Sequence, residues 1–388
     1  MLVSANDHHL YAIDAATGAL RWRYHAENEV MSQPGYTGNL IYIGIGNSQA
    51  SAYYPPHMSL IGTGQSKIEA IDPATGIEQW WGSLDGTGMP SAAIDGANVI
   101  SADGNGTVLA LDARSGDFRW DVEYPTTFAM SSLLDDGHGH LYLTGRYENA
   151  VYALRATNGA LLWEHRFGTF DGGLGDDPLA STGQALIGVY LQPIAPGPFG
   201  MSVTVDSRAR QHVFALDQRT GRLLWDTQLD ADAGIVPPYN QAAIALVYNG
   251  RIYVGSAVAP FVTALDLHGR VLWQLRTGGP VKGGIVAYDG VIYFGDHSGR
   301  LWAADAQTGR PIGSIATDMV FNTGSPIIFN DSLIVGGVGD VVAVPLPAIR
   351  TSEELIGVTR LTWWQNVRDF AVSLIPSRDP HRDASYYR

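Results

Sequence analysis

Three carboxylates crowd one short run, Asp171, Asp176 and Asp177, within Gly-Thr-Phe-Asp-Gly-Gly-Leu-Gly-Asp-Asp-Pro at 168–178. Neighbouring carboxylates can hold different pKa values, the arrangement that general acid/base hydrolysis requires. Asp beside Gly and Pro also simply favours turns. A second group, Tyr53, Tyr54 and His57 around Pro55-Pro56, offers rings and an imidazole to a ligand. The remaining histidines singled out (His8-His9, His138, His140 and His297) are scattered rather than set at metal-ligand spacing. With no cysteine in the chain, disulfides, thiolate metal sites and cysteine nucleophiles are excluded. No phosphate-binding loop, Gly-x-Ser-x-Gly elbow or His-Glu-x-x-His is present.

The elements that must position these residues are read from one repeat. Phe214–Trp225 alternates like a strand up to Asp217, turns at Thr220-Gly221, and runs as a second strand to Trp225. The pattern recurs with Ala at positions 12, 70, 110, 153, 215, 264, 303 and 343, at intervals of 39 to 62 residues. A period near ~40 with four short apolar runs per unit reads as a propeller blade, a four-stranded antiparallel sheet that must stack on its neighbours. The expected fold is all-β, an eight-bladed β-propeller. The small Ala lets sheets approach, the Asp accepts turn N–H groups, and the Trp fills the gap between blades. Trp22, Trp80, Trp120, Trp163, Trp225 and Trp273 are therefore expected to be structural.

The Ala-x-Asp-x-x-Thr-Gly-x-x-x-Trp pattern resembles the repeat of the PQQ-dehydrogenase-like (quinoprotein-like) propellers, over about residues 1–346. Departures are Ser115-Gly116, Asn158-Gly159 with Arg155 for Asp, a shorter His268-Gly269 turn, and Gly313 in place of Trp. That family includes dehydrogenases, a sulfur-compound (tetrathionate) hydrolase and outer-membrane assembly factors. In its dehydrogenases an Asn holds Ca²⁺ beside PQQ, and Asn47, after Gly44-Ile45-Gly46, resembles that position. Gly46-Asn47 can equally turn the strand into its loop. The dehydrogenases also need a cysteine pair and an Asp-rich Trp-Asp segment. Here Trp120-Asp121 and Trp225-Asp226 both belong to repeats, so no cofactor is expected. The resemblance implies an extracytoplasmic, periplasmic binding or assembly module for a partner protein. A cofactor-free hydrolase using Asp171, Asp176 and Asp177 is the alternative, and a PQQ dehydrogenase the third reading.

With strands named A to D through each blade, blade one begins inside strand B at Leu2–Ser4 and blade eight ends on strand C at Val341–Pro345. Unpaired edges at such a seam are costly, so the tail or another chain is expected to cover them. Two B–C connections are long, Asn47–Lys67 in blade two and Gln192–Gln211 in blade five. Antiparallel order puts B–C and D–A connections at one end of the sheets, so both share a face with Gly168–Pro178, opposite the Thr-Gly turns. Residues 347–388 form a tail with an amphipathic helix at about 361–375, its stripe Trp363, Val367, Phe370 and Leu374 facing the propeller or a partner protein. A net charge of −14 argues against nucleic acid. No apolar run spans a membrane, and Met1-Leu2-Val3-Ser4-Ala5 reads as a strand rather than a signal peptide.

Overall fold

A computed structural model describes the chain except residues 55–56, 131, 147–148, 169–172, 175–177, 196–206, 237–242, 323, 338–340 and 352–388. For residues 52–54, 57–58 and 230–233 it describes the backbone alone. The strands build the sheets of an eight-bladed β-propeller, six four-stranded and, first and last, two three-stranded, each in chain order. Two compact units are formed, Met1–Ile13 with Arg21–Gln241, and Asp14–Leu20 with Ala242–Arg388.

In the first unit the repeat does what its residue types dictate. Ala70, Ala110, Ala153 and Ala215 stand directly across the C–D ladder from Trp80, Trp120, Trp163 and Trp225, with a register shift after each Ala. Asp72 Oδ1 accepts the Thr75 amide and hydroxyl at 2.8 and 2.9 Å and so closes its turn. The turn glycine is required twice over. Gly76 has φ +71°, and a Cβ there would come 2.7 Å from the Trp22 indole of the preceding blade. Trp80 lies over Gly116, Trp120 over Gly159 and Trp163 over Gly221 in the same way. The Trp22 indole N–H also donates to Pro73 O at 2.9 Å.

Blade five departs from this plan. Its strands B (Ala185–Pro193), C (Arg208–Asp217) and D (Leu223–Ile235) outrun those of other blades, such as Asn98–Ala102, Thr107–Asp112 and Phe118–Glu123 in blade three. The expected loop Gln192–Gln211 is therefore corrected: the ladder continues through Leu191↔Gln211 to Pro193↔Ala209. Gln211 is polar yet fully buried, which masked the strand in the sequence. In blade two the long B–C connection folds into its own hairpin, Ser51–Tyr54 against His57–Leu60. Leu60 then exchanges backbone bonds with Gly104 and Thr87.

In the second unit the Trp273 indole lies over Gly309. Blade seven explains its missing Trp. A Cβ on Gly313 would stand 2.0 Å from Ile349 O, because helix α1 (Leu346–Thr351) packs there. Leu346 and Ile349 are buried with Ile315, Leu333 and Val344, so packing continues past the expected boundary at 346. The stripe at Trp363, Val367, Phe370 and Leu374 lies outside the described residues. Among the described residues no helix is long and apolar enough to cross a membrane.

Candidate functional site

The B–C turns and D–A connections meet at one end of the blades, and buried polar residues tie them together. In blade three Asp103, fully buried, accepts the amides of Asp85 and Gly86 on one oxygen and of Asn105 and Thr107 on the other, at 2.9–3.1 Å. Burial pushes its carboxyl up, and the N–H donors oppose the shift. In blade four Asn149 Oδ1 accepts the amides of Gly173 and Leu174. In blade seven Asp296 accepts those of Gly278, Ser298 and Arg300 and the Trp302 indole N–H. At the other end, C–D and A–B turns bond to each other, as Ala113 N does to Ala97 O and Ala156 N to Gly139 O.

Asn47 belongs to this structural set. Its amide NH₂ donates to Asn28 Oδ1 and Thr63 O at 2.9 Å, and its Oδ1 accepts the amides of Thr63 and Gln49 at 2.9 and 3.1 Å. Both lone pairs are taken, so this oxygen does not fit a Ca²⁺ ligand beside PQQ. Among the described residues no group of three His, Cys, Asp or Glu could hold a metal ion. Tyr53, Tyr54 and His57 lie on the blade-two hairpin, with their side chains outside the described set. Asp171, Asp176 and Asp177 lie outside the described residues. The histidines of blade one are closer than their spacing suggested: the His25 ring lies 4.7 Å from His9 and 6.3 Å from His8.

Sequence reading missed two groups. The first is Tyr190, His212 and Asp226, one from each long strand of blade five. Tyr190 and His212 are direct cross-strand partners. The Tyr190 hydroxyl donates to Asp226 Oδ2 at 2.6 Å, and burial, then Asp226, pushes its pKa above the usual range, so it remains a donor. His212 Nδ1 lies 2.9 Å from Asp226 Oδ1 and 3.0 Å from the Tyr190 oxygen. Both neighbours are acceptors toward it, which assigns the imidazole proton to Nδ1. His212 Nε2 is then a lone-pair acceptor, buried and without a partner among the described residues. Phe167 packs 4.9 Å from Tyr190 and 4.3 Å from Phe214. Strand C was expected to start at Val213, which left His212 in a loop; the Tyr190↔His212 register was the signal available.

The second is Glu69, on strand C of blade two facing blade one. It is fully buried and neither oxygen meets a partner at hydrogen-bond geometry among the described residues. Burial pushes it up to about 7; the Tyr24 hydroxyl and Lys67 oppose the shift, while Glu78 and Glu27 add to it. Lys67 pairs with Glu27 at 2.6 Å and lies 4.6 Å from the Trp81 ring, and Tyr24 donates to Glu78 at 2.9 Å.

Comparison with known proteins agrees with this architecture. The family model described as outer membrane protein assembly factor BamB matches residues 1–133, 64–174 and 209–348. Tetrathionate hydrolase of Acidithiobacillus ferrooxidans is 25% identical over 364 residues, 89% of this chain and 70% of that protein. BamB of Yersinia pestis is 27% identical over 321 residues, 70% of this chain and 76% of its own length. The crystal structure of BamB from Moraxella catarrhalis superposes with a TM-score of 0.66 at 19% identity, covering 88% of this chain and 92% of that one, a likeness of fold. The chain therefore belongs to the family of the outer membrane protein assembly factor BamB, and its blades are those of a quinoprotein-like β-propeller.

Proposed function

We propose that the chain is an extracytoplasmic binding module that holds a partner protein against the outer strands of its blades. The observation carrying this reading is the exposure of large apolar residues on those strands, Trp81 at 51% and Phe118 at 63%, each on a strand with one edge unpaired in its sheet. Leu161, Leu162, Leu223 and Leu224 extend the same feature. Monomeric proteins rarely leave such residues on neighbouring edge strands without a partner. Family membership supports the reading, since relatives carry the name of an assembly factor. The tail stripe Trp363, Val367, Phe370 and Leu374 supplies a further apolar contact of the same kind. No PQQ or Ca²⁺ takes part. A photoreactive residue at Phe118 should give one discrete protein adduct, lost on Trp81→Glu, while the same probe at Gly137 in an A–B turn gives none. Equal labelling from both positions, or none from either, contradicts the reading.

A second reading, hydrolysis of a small molecule at the end of the blades that carries the B–C and D–A connections, is favoured by the Tyr190–His212–Asp226 constellation and by the similarity to tetrathionate hydrolase over most of the chain. In this reading Asp171, Asp176 and Asp177 act as acid/base carboxylates. Asp176→Asn or Asp177→Asn should then abolish turnover without unfolding the protein, and full activity in both removes them from the mechanism.

A further inference from the structure

We infer that blade five carries a general base, His212, held by Asp226 and Tyr190, that takes a proton from an attacking water; this rests on the hydrolase reading and gives His212 the proton transfer in place of Asp171, Asp176 and Asp177. In blade three, three cross-strand steps beyond Ala110, the pair is Asp103 with Thr107; in blade seven the equivalent pair is Asp296 with Arg300. There the acid caps its own turn and the adjoining connection, and its oxygens are consumed by N–H donors. In blade five the same position, three steps beyond Ala215, holds Tyr190 with His212. No turn follows, because the strands run on to Pro193 and Ala209. Asp226, next to the repeat residue Trp225, supplies the carboxylate instead.

A carboxylate that accepts Nδ1–H fixes the imidazole tautomer and orientation and stabilises the imidazolium that forms on protonation. It leaves Nε2 as the basic atom. A buried acceptor that meets no partner among the described residues is costly, and packing gains nothing from it. Leu191 N–H donates to Gly173 O at 2.8 Å, which brings the D–A connection of blade four beside the constellation. Among the described residues the ionisable groups around His212 are Tyr190 on strand B, Asp226 on strand D and Arg210 two residues along its own strand, with His165 further off behind Phe167, whose ring it meets at 4.7 Å. The step balances as a hydrolysis. Water oxygen bonds to the electrophilic atom of the substrate as Nε2 takes its proton; the scissile bond breaks with its electron pair to the leaving group, which receives that proton from the imidazolium. Asp226 stays ionised throughout.

The test uses the full chain with tetrathionate as probe. Wild type should turn over, and His212→Gln should lower kcat by about 10²–10⁴-fold with KM within about threefold, the range that a lost proton transfer rather than lost binding gives. Asp226→Asn should shift or remove the acid limb of the pH profile, a readout that a packing defect does not move. Turnover by wild type with His212→Gln equally active overturns this inference and leaves the hydrolase reading standing. A wild type inactive toward tetrathionate overturns that reading, and the imidazole ¹⁵N spectrum then decides the site. An Nδ1–H tautomer whose Nε2 signal moves on adding tetrathionate keeps His212 as a ligand-binding base. A proton on Nε2, or no movement, removes it.

Discussion

Blade three and blade five solve the same local problem in opposite ways. At the end of strand B, blade three buries an acid and surrounds it with four amide donors, so Asp103 holds two connections in place. Blade five puts Tyr190 and His212 at that register, lets the ladder continue, and leaves Nε2 without a donor among the described residues. The difference separates an acid whose oxygens are all taken by amide donors from an imidazole that keeps one buried nitrogen unused among the described residues. Glu69 falls on the blade-five side of the divide: it is as buried as Asp103, but among the described residues no donor meets it at hydrogen-bond geometry.

The comparison breaks first at Asp103. Asp103→Ala strands four amides and is expected to cost about 3–5 kcal/mol, read as a drop in the urea midpoint; a loss under ~1 kcal/mol would place Asp103 among the dispensable groups. Glu69 sharpens it through pH. Its folded pKa, about 7, lies above the ordinary glutamate value of 4.5, so the folded state binds the proton more tightly. Stability should be greatest in acid, decline as pH rises from about 4.5 to about 7, and level off above. The swing is on the order of 3 kcal/mol. Glu69→Gln should flatten that slope, and an unchanged slope would assign the pH dependence elsewhere. Gly313→Ala comes next: its Cβ meets the Ile349 carbonyl, so α1 must shift, at a cost of about 1–3 kcal/mol by thermal unfolding. An unchanged melting temperature would show that α1 is not held there. The smallest effect is expected at the exposed rim, where Phe118→Glu should stay within about 0.5 kcal/mol of wild type while abolishing the adduct formed by a photoreactive residue placed at Trp81.

Much of the fold was legible because the repeat encodes contacts that recur. Ala opposite Trp, Asp capping the turn and Gly beneath the preceding indole are each fixed by one residue type, so spacing alone revealed the blades. Gly313 was visible as an exception, but its cause was not: the occupant is Ile349 in a helix that carries no repeat. The blade-five constellation was hidden because Arg208–Gln211 is polar where a strand was sought by apolar alternation. Asp226 was visible only as the residue after Trp225. Asn47 was read as a loop residue or a cation ligand, and its true partners, Asn28 and Thr63, are set by packing between connections rather than by local sequence.

The contrast between the two blades claims that His212 is not what holds blade five together. The direct measurement is the urea unfolding free energy of His212→Gln against wild type. The expected value lies within about 1 kcal/mol of wild type, since the substitution removes a buried acceptor without a partner among the described residues along with the bonds it breaks. A loss as large as that of Asp103→Ala would contradict it and return His212 to the structural set.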